Sequence, residues 1–182
     1  IVTYLSVNMS QIFSGTSIVN FLKSENRECS KETLYNYLSY ITNSCVMNKA
    51  RRYDIHGKKL LSTLEKYYLT DISFARLHSQ KIDIGASLEN IVYNELICRG
   101  YEVHTGVLKN AEVDFIAQKG SEKKYFQVCY LLASEETQKR EFGAFDSVGD
   151  YYPKFVLSTD HFDFSQNGII HKNIIDWLLE GE

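Results

Sequence analysis

Three polar side chains fall where the hydrophobic pattern leaves little room for them. Glu89 is followed by Val92, Tyr93 and Leu96 at i+3, i+4 and i+7, so on a helix its carboxylate shares the apolar stripe. A carboxylate withdrawn from water without a partner is costly, so Glu89 requires a cation, a hydrogen-bond donor or a metal. The alternative is a place at the border of the stripe, with its oxygens in water. Asp114 interrupts Glu112-Val113-Asp114-Phe115-Ile116. Strand alternation there places Val113 and Phe115 on one face and Asp114 beside Ile116 on the other. Aspartate is disfavoured inside strands, so its presence needs a reason. In Lys124-Tyr125-Phe126-Gln127-Val128-Cys129-Tyr130, Gln127 and Cys129 point the same way, opposite Phe126 and Tyr130.

Other chemistries are poorly served. Cys29, Cys45, Cys98 and Cys129 are widely spaced, with no C-x-x-C pair and no histidine at zinc-ligand spacing, which predicts reduced thiols and a cytoplasmic chain. No apolar run approaches the ~18–20 residues of a membrane span, and no signal peptide is visible. Aromatic content of 13% and a single proline exclude disorder. The net charge of -3 divides unevenly: residues 1–80 carry ten basic and six acidic side chains, residues 81–182 ten and seventeen. Only the first part suits a phosphate backbone, through Arg51, Arg52, Lys58 and Lys59. Those four side chains have two readings: contacts to DNA phosphates, or a solvated or protein-docking hairpin.

The elements that must position these residues fall into two groups. Residues 16–25 carry Ile18, Val19, Phe21 and Leu22 at helical spacing. Ser30 then reads as an N-cap before the stripe Leu34, Leu38, Ile41 and Cys45. The period changes at Val46. Residues 46–55 and 63–69 read as strands around the turn His56-Gly57-Lys58-Lys59, and helix, turn, helix, ribbon is the order of a winged helix-turn-helix. The expected division is a winged helix over 1–70, a connector over 71–85 and a second unit over 86–182. In that unit a helix over 87–99 ends at Gly100. Strands follow over 101–107, 112–118 and 124–131, with turns at Lys109-Asn110 and Lys119-Gly120. A helix over 135–145, strands over 154–157 and 168–171, and a helix over 173–179 complete an α-β-β-β-α-β order. The fold class expected is α/β, α+β overall.

Helix Glu89, strand Asp114 and the strand pair Gln127/Cys129 in that order resemble the PD-(D/E)XK nuclease superfamily, with a restriction-endonuclease-like core. The resemblance implies that Asp114, Glu89 and Gln127 hold Mg²⁺ and that a lysine serves the attacking water. Cys129 stands at the lysine position, and Lys139, beside Arg140, is the nearest substitute. The stretches 52–61, 88–93, 112–115 and 126–130 further resemble the C-terminal region of prokaryotic AAA-type P-loop ATPases. No G-x-x-x-x-G-K-[ST] motif occurs here, so ATP would bind in a domain upstream of Ile1, and the chain is expected to be part of a longer protein. The function expected is a catalytically degenerate nuclease fold that binds the ATPase core, DNA or another protein. The alternative is an active metal-dependent DNA nuclease with a relocated lysine.

Overall fold

The computed structural model describes residues 1–78, 83–109 and 111–180. Residues 79–82 of the expected connector, Asn110 of the expected turn, and residues 181–182 lie outside them.

The chain opens with three helices, α1 (Val2–Val7), α2 (Gly15–Ser24) and α3 (Lys31–Asn43). Serine caps start the last two: Ser17 N–H donates to Ser14 Oγ at 3.2 Å and Thr33 N–H to Ser30 Oγ at 3.1 Å, each satisfying one orphan donor of the first turn. Ile18, Leu22, Leu34 and Leu38 are buried against Leu5, Phe13, Met47 and Tyr67. Cys45 does not continue the stripe. The helix ends at Asn43, and Cys45 is exposed with φ 57° in a left-handed exit.

The expected ribbon is split between two sheets. Strand β1 (Met47–Ala50) pairs antiparallel with β4 (Lys66–Leu69), forming a two-stranded sheet. At Arg51 the chain leaves that ribbon. Strand β2 (Arg52–Asp54) runs parallel to β5 (Glu102–Val107), and β3 (Lys59–Leu60) pairs with β2 on its outer side. The reason is an open edge: β5 presents unpaired backbone groups that β2 satisfies. Ile55 then anchors the segment in the core beyond, and its N–H donates to Val107 O at 3.1 Å. Residues 52–60 therefore belong to the sheet whose remaining strands come from residues 102–173.

That sheet has seven strands in the order β3-β2-β5-β6-β7-β8-β9, with β6 (Glu112–Lys119), β7 (Glu122–Val128), β8 (Lys154–Ser158) and β9 (Ile169–Asn173). The meander β5-β6-β7 is antiparallel, and β7-β8-β9 is parallel. Helix α4 (Ser73–His78) follows β4. Helix α5 (Ile84–Cys98) begins three residues before Ser87, because Asp83 caps it through Ala86 N–H at 3.0 Å. Gly100 ends it at φ 81° as expected. Helices α5 and α7 (Ile174–Leu179) cover one face through Val92, Tyr93, Leu96 and Trp177. Helix α6 (Glu135–Gly143) covers the other with Phe142, over Val113, Ile116, Tyr125 and Val156. The protein is thus a mixed α+β fold around a mixed sheet, and no helix among the described residues is long and apolar enough to cross a membrane.

Candidate functional site

A β-bulge aims Asp114. His104 pairs with Ile116 but Gly106 pairs with Val113, so two residues of β6, Asp114 and Phe115, oppose the single Thr105. This overturns the alternation expected from the sequence. Val113 and Ile116 enter the core beneath α6, while Phe115 enters the core beneath α5. The bulge also disturbs the ladder, and side chains repair it. Val128 N–H donates to Asp114 Oδ2 at 2.9 Å, and Asp114 N–H donates to Gln127 Oε1 at 3.2 Å. Asp114 and Gln127 are therefore on neighbouring strands, each side chain bonded to the backbone of the other's strand.

Glu89 reaches the same place from α5. Its Oε1 accepts from Tyr68 Oη at 2.7 Å and from Lys66 Nζ at 3.2 Å. Lys66 Nζ also lies 2.6 Å from Glu112 Oε1 and 3.9 Å from Asp114 Oδ1. Its side chain is 6% exposed, and Tyr68, fully buried two residues on, stacks on Tyr93 with ring centroids 4.2 Å apart. Glu89 and Asp114 thus lie around one buried cation, Lys66. Sequence reasoning missed Lys66, Tyr68 and Glu112. The only available signal was a lone lysine heading the otherwise apolar run Lys66-Tyr67-Tyr68-Leu69.

Electrostatics follow from burial. Desolvation pushes the Glu89 carboxyl up against the pull of Lys66 and Tyr68. Desolvation, then the Glu89 charge, pushes Asp114 well above the usual carboxylate range. Burial by itself would lower the Lys66 pKa, yet Glu89, Asp114 and Glu112 together hold it above the ordinary lysine value. Tyr68 keeps its proton because burial and Glu89 both oppose the phenolate.

The remaining expected residues border this centre. Cys129 is buried, and burial, with Glu141, Asp160 and Asp114 nearby, pushes its thiol up to about 12, leaving it neutral. Lys139 is 81% exposed at the side chain and 3.8 Å from Glu135. Arg140 is bonded to the buried Glu141 at 2.6 Å. Both line a shallow groove of about 450 Å³ with Glu112 and Gln127. The donor set does not fit a resident Mg²⁺. Gln127 Oε1 and Asp114 Oδ2 already accept backbone N–H groups, and an ammonium stands among the carboxylates where like charge would repel a metal.

Arg51, Arg52, Lys58 and Lys59 lie near the outer edge of the seven-stranded sheet, in β2, β3 and the adjoining residues, and not on one wing. A second polar group joins strand ends: Ser158 Oγ is 2.9 Å from His171 Nε2 and 2.8 Å from Asp160 Oδ2. Ser158 is fully buried, and Asp160 also accepts from Leu132 N–H at 2.7 Å, so this trio clamps loops and presents no nucleophile.

The chain is similar to parts of larger proteins. It is 33% identical over 183 residues to an uncharacterized protein of Haemophilus influenzae, covering 99% of this chain and 45% of that one. It is 32% identical over 135 residues to the uncharacterized protein MJ1544 of Methanocaldococcus jannaschii, covering 72% of this chain and 30% of that protein. The chain therefore spans less than half the length of these curated relatives. No family model and no solved structure matches it.

Proposed function

We propose that the chain is a catalytically silent, nuclease-like fold with a winged-helix segment, working as an interaction module beside the ATPase core of a longer protein. The observation that carries this reading is the engagement of Lys66 by Glu89, Glu112 and Asp114. Phosphodiester hydrolysis on such a fold needs carboxylates free for a metal and a cation beside the attacking water. Here the carboxylates are committed to a lysine, and Cys129, where the resemblance expects a lysine, carries a neutral thiol. The Haemophilus relative is more than twice as long as the matching stretch, which leaves room for an upstream ATPase domain. The acidic balance of residues 81–182 favours a protein partner for that part.

No Mg²⁺- or Mn²⁺-dependent cleavage of plasmid, linear duplex or single-stranded DNA is expected from this chain, with Asp114→Ala run in parallel to expose contaminating nuclease. Cleavage by the wild type that disappears in Asp114→Ala would overturn the reading, and Lys139→Ala would then ask whether the lysine has moved. A DNA contact through the basic edge is the second reading, favoured by Arg51, Arg52, Lys58 and Lys59 lying close in sequence at one edge of the sheet. Retention on immobilised duplex DNA is expected to be weak and salt-sensitive, and to vanish when all four become Glu. Retention unchanged by those substitutions would remove the edge as a binding surface.

A further inference from the structure

Helix α3 buries Leu34 and Leu38 and turns its opposite side to solvent. At 3.6 residues per turn, Thr33, Asn36, Tyr37, Tyr40, Asn43 and the capping Ser44 fall within about 60° of Tyr40, and all six are exposed. We propose that this face is the contact by which two copies of the chain pair, with their α3 helices antiparallel about a two-fold axis through Tyr40. The pairing concerns the first helices and does not depend on the nuclease-like reading of the later strands.

Three observations carry it. The face is uncharged: no acidic or basic side chain stands between Glu32 and Lys49, whereas the solvent side of a helix ordinarily carries both. Loss of charge with gain of tyrosine is the composition of an interface centre, and without a cation the face has nothing to offer a phosphate backbone. Second, its large groups are unused. Tyr37 and Tyr40 are 49% and 66% exposed, and neither ring, neither hydroxyl nor the Asn36 amide has a partner among the described residues. Third, the face complements itself. A two-fold axis across antiparallel helices reverses each residue's height and keeps its side of the stripe. That sets Asn36 beside Asn43 of the second copy and Tyr37 beside its Ser44, with both Tyr40 rings on the axis. Amide then meets amide and phenol meets hydroxyl, each a donor and an acceptor, and no like charges oppose one another in a chain of net charge -3. The stripe is about 18 Å long and one helix wide, so each copy buries on the order of 300 Å². That is well under the ~800 Å² per partner of a stable complex, which makes the pair weak and transient.

The test is sedimentation equilibrium of the chain from about 10 to 500 μM, a range that brackets a weak pair. The wild-type mass is expected to climb from monomer toward dimer across it, with little change between low and high NaCl because no charges meet. Tyr40→Glu and Tyr40→Lys each place two like charges on the axis, and each should weaken pairing at least tenfold. Tyr40 is exposed, so both variants should keep the wild-type far-ultraviolet circular dichroism. An equal mixture of the two variants should pair again, now in a salt-sensitive way, since opposite charges then face each other across the axis. A wild type that stays monomeric throughout overturns the proposal and leaves the face to a different partner. So does a dimer that Tyr40→Glu leaves intact, and so does a mixture that stays monomeric. Loss of duplex DNA retention in Tyr40→Glu without any change in mass would assign the face to DNA and overturn it as well. DNA cleavage by the wild type would instead defeat only the functional reading, so the two can fail separately.

Discussion

Replacing Lys66 by methionine is expected to destabilise the fold by about 3–5 kcal/mol at pH 7, the usual cost of stripping the counter-charge from a buried ion pair. The size follows from what remains. Methionine fills the stem's volume, so packing is largely kept, but Glu89 and Asp114 lose their cation while still shielded from water. The pH dependence has a definite sign. Both carboxyls already sit above their ordinary values of 4.5 and 3.8 in the folded protein, and losing Lys66 raises them further. The folded variant therefore binds more protons than its unfolded chain in the window above those values, and its stability falls as pH rises through it. Denaturant unfolding at a series of pH values from 5 to 8 should show the gap between wild type and variant narrowing on the acid side. A gap that stays below about 1 kcal/mol, or that does not change with pH, would show that Lys66 is not the counter-charge of these acids.

Asn90→Leu is expected to cost about 2–4 kcal/mol, from two buried backbone groups losing a partner. Thr70 N–H donates to Val46 O in the ribbon, so alternation turns the N–H and C=O of Leu69 away from β1 and toward α5. There the fully buried Asn90 amide acts as a third strand. Leu69 N–H donates to its Oδ1 at 2.7 Å, and its Nδ2 donates to Leu69 O at 2.8 Å. Asn94 Nδ2 reaches the same carbonyl at 2.9 Å and softens half of the loss. The donor at Leu69 has no such reserve. Urea unfolding of Asn90→Leu against Asn94→Leu should separate the two, with the Asn90 change the larger. Equal effects would mean that the carbonyl, and not the amide, dominates.

Local rules read well from the residues themselves. Ser30 capping α3 and Gly100 closing α5 each depend on backbone groups within a few residues, so sequence decides them. The elements carrying Glu89, Asp114 and Gln127 were legible for the same reason, and so was the nearness of Asp114 to Gln127 across a short turn. The division of the ribbon was not legible, because β2 chooses its partner from an edge some fifty residues further along. Nor was the direction of Asp114, since one extra residue in β6 is an agreement between two strands and not a property of either. Lys66 is the clearest case. Its strand reads as an ordinary edge of a hairpin, and its burial, its three acid partners and its raised pKa exist only once α5 and β6 close over it. Sequence determined which residues carry charge and which segments take which period. Tertiary structure decided which charges lose their water together, because desolvation belongs to the packed assembly and to no single segment of the chain.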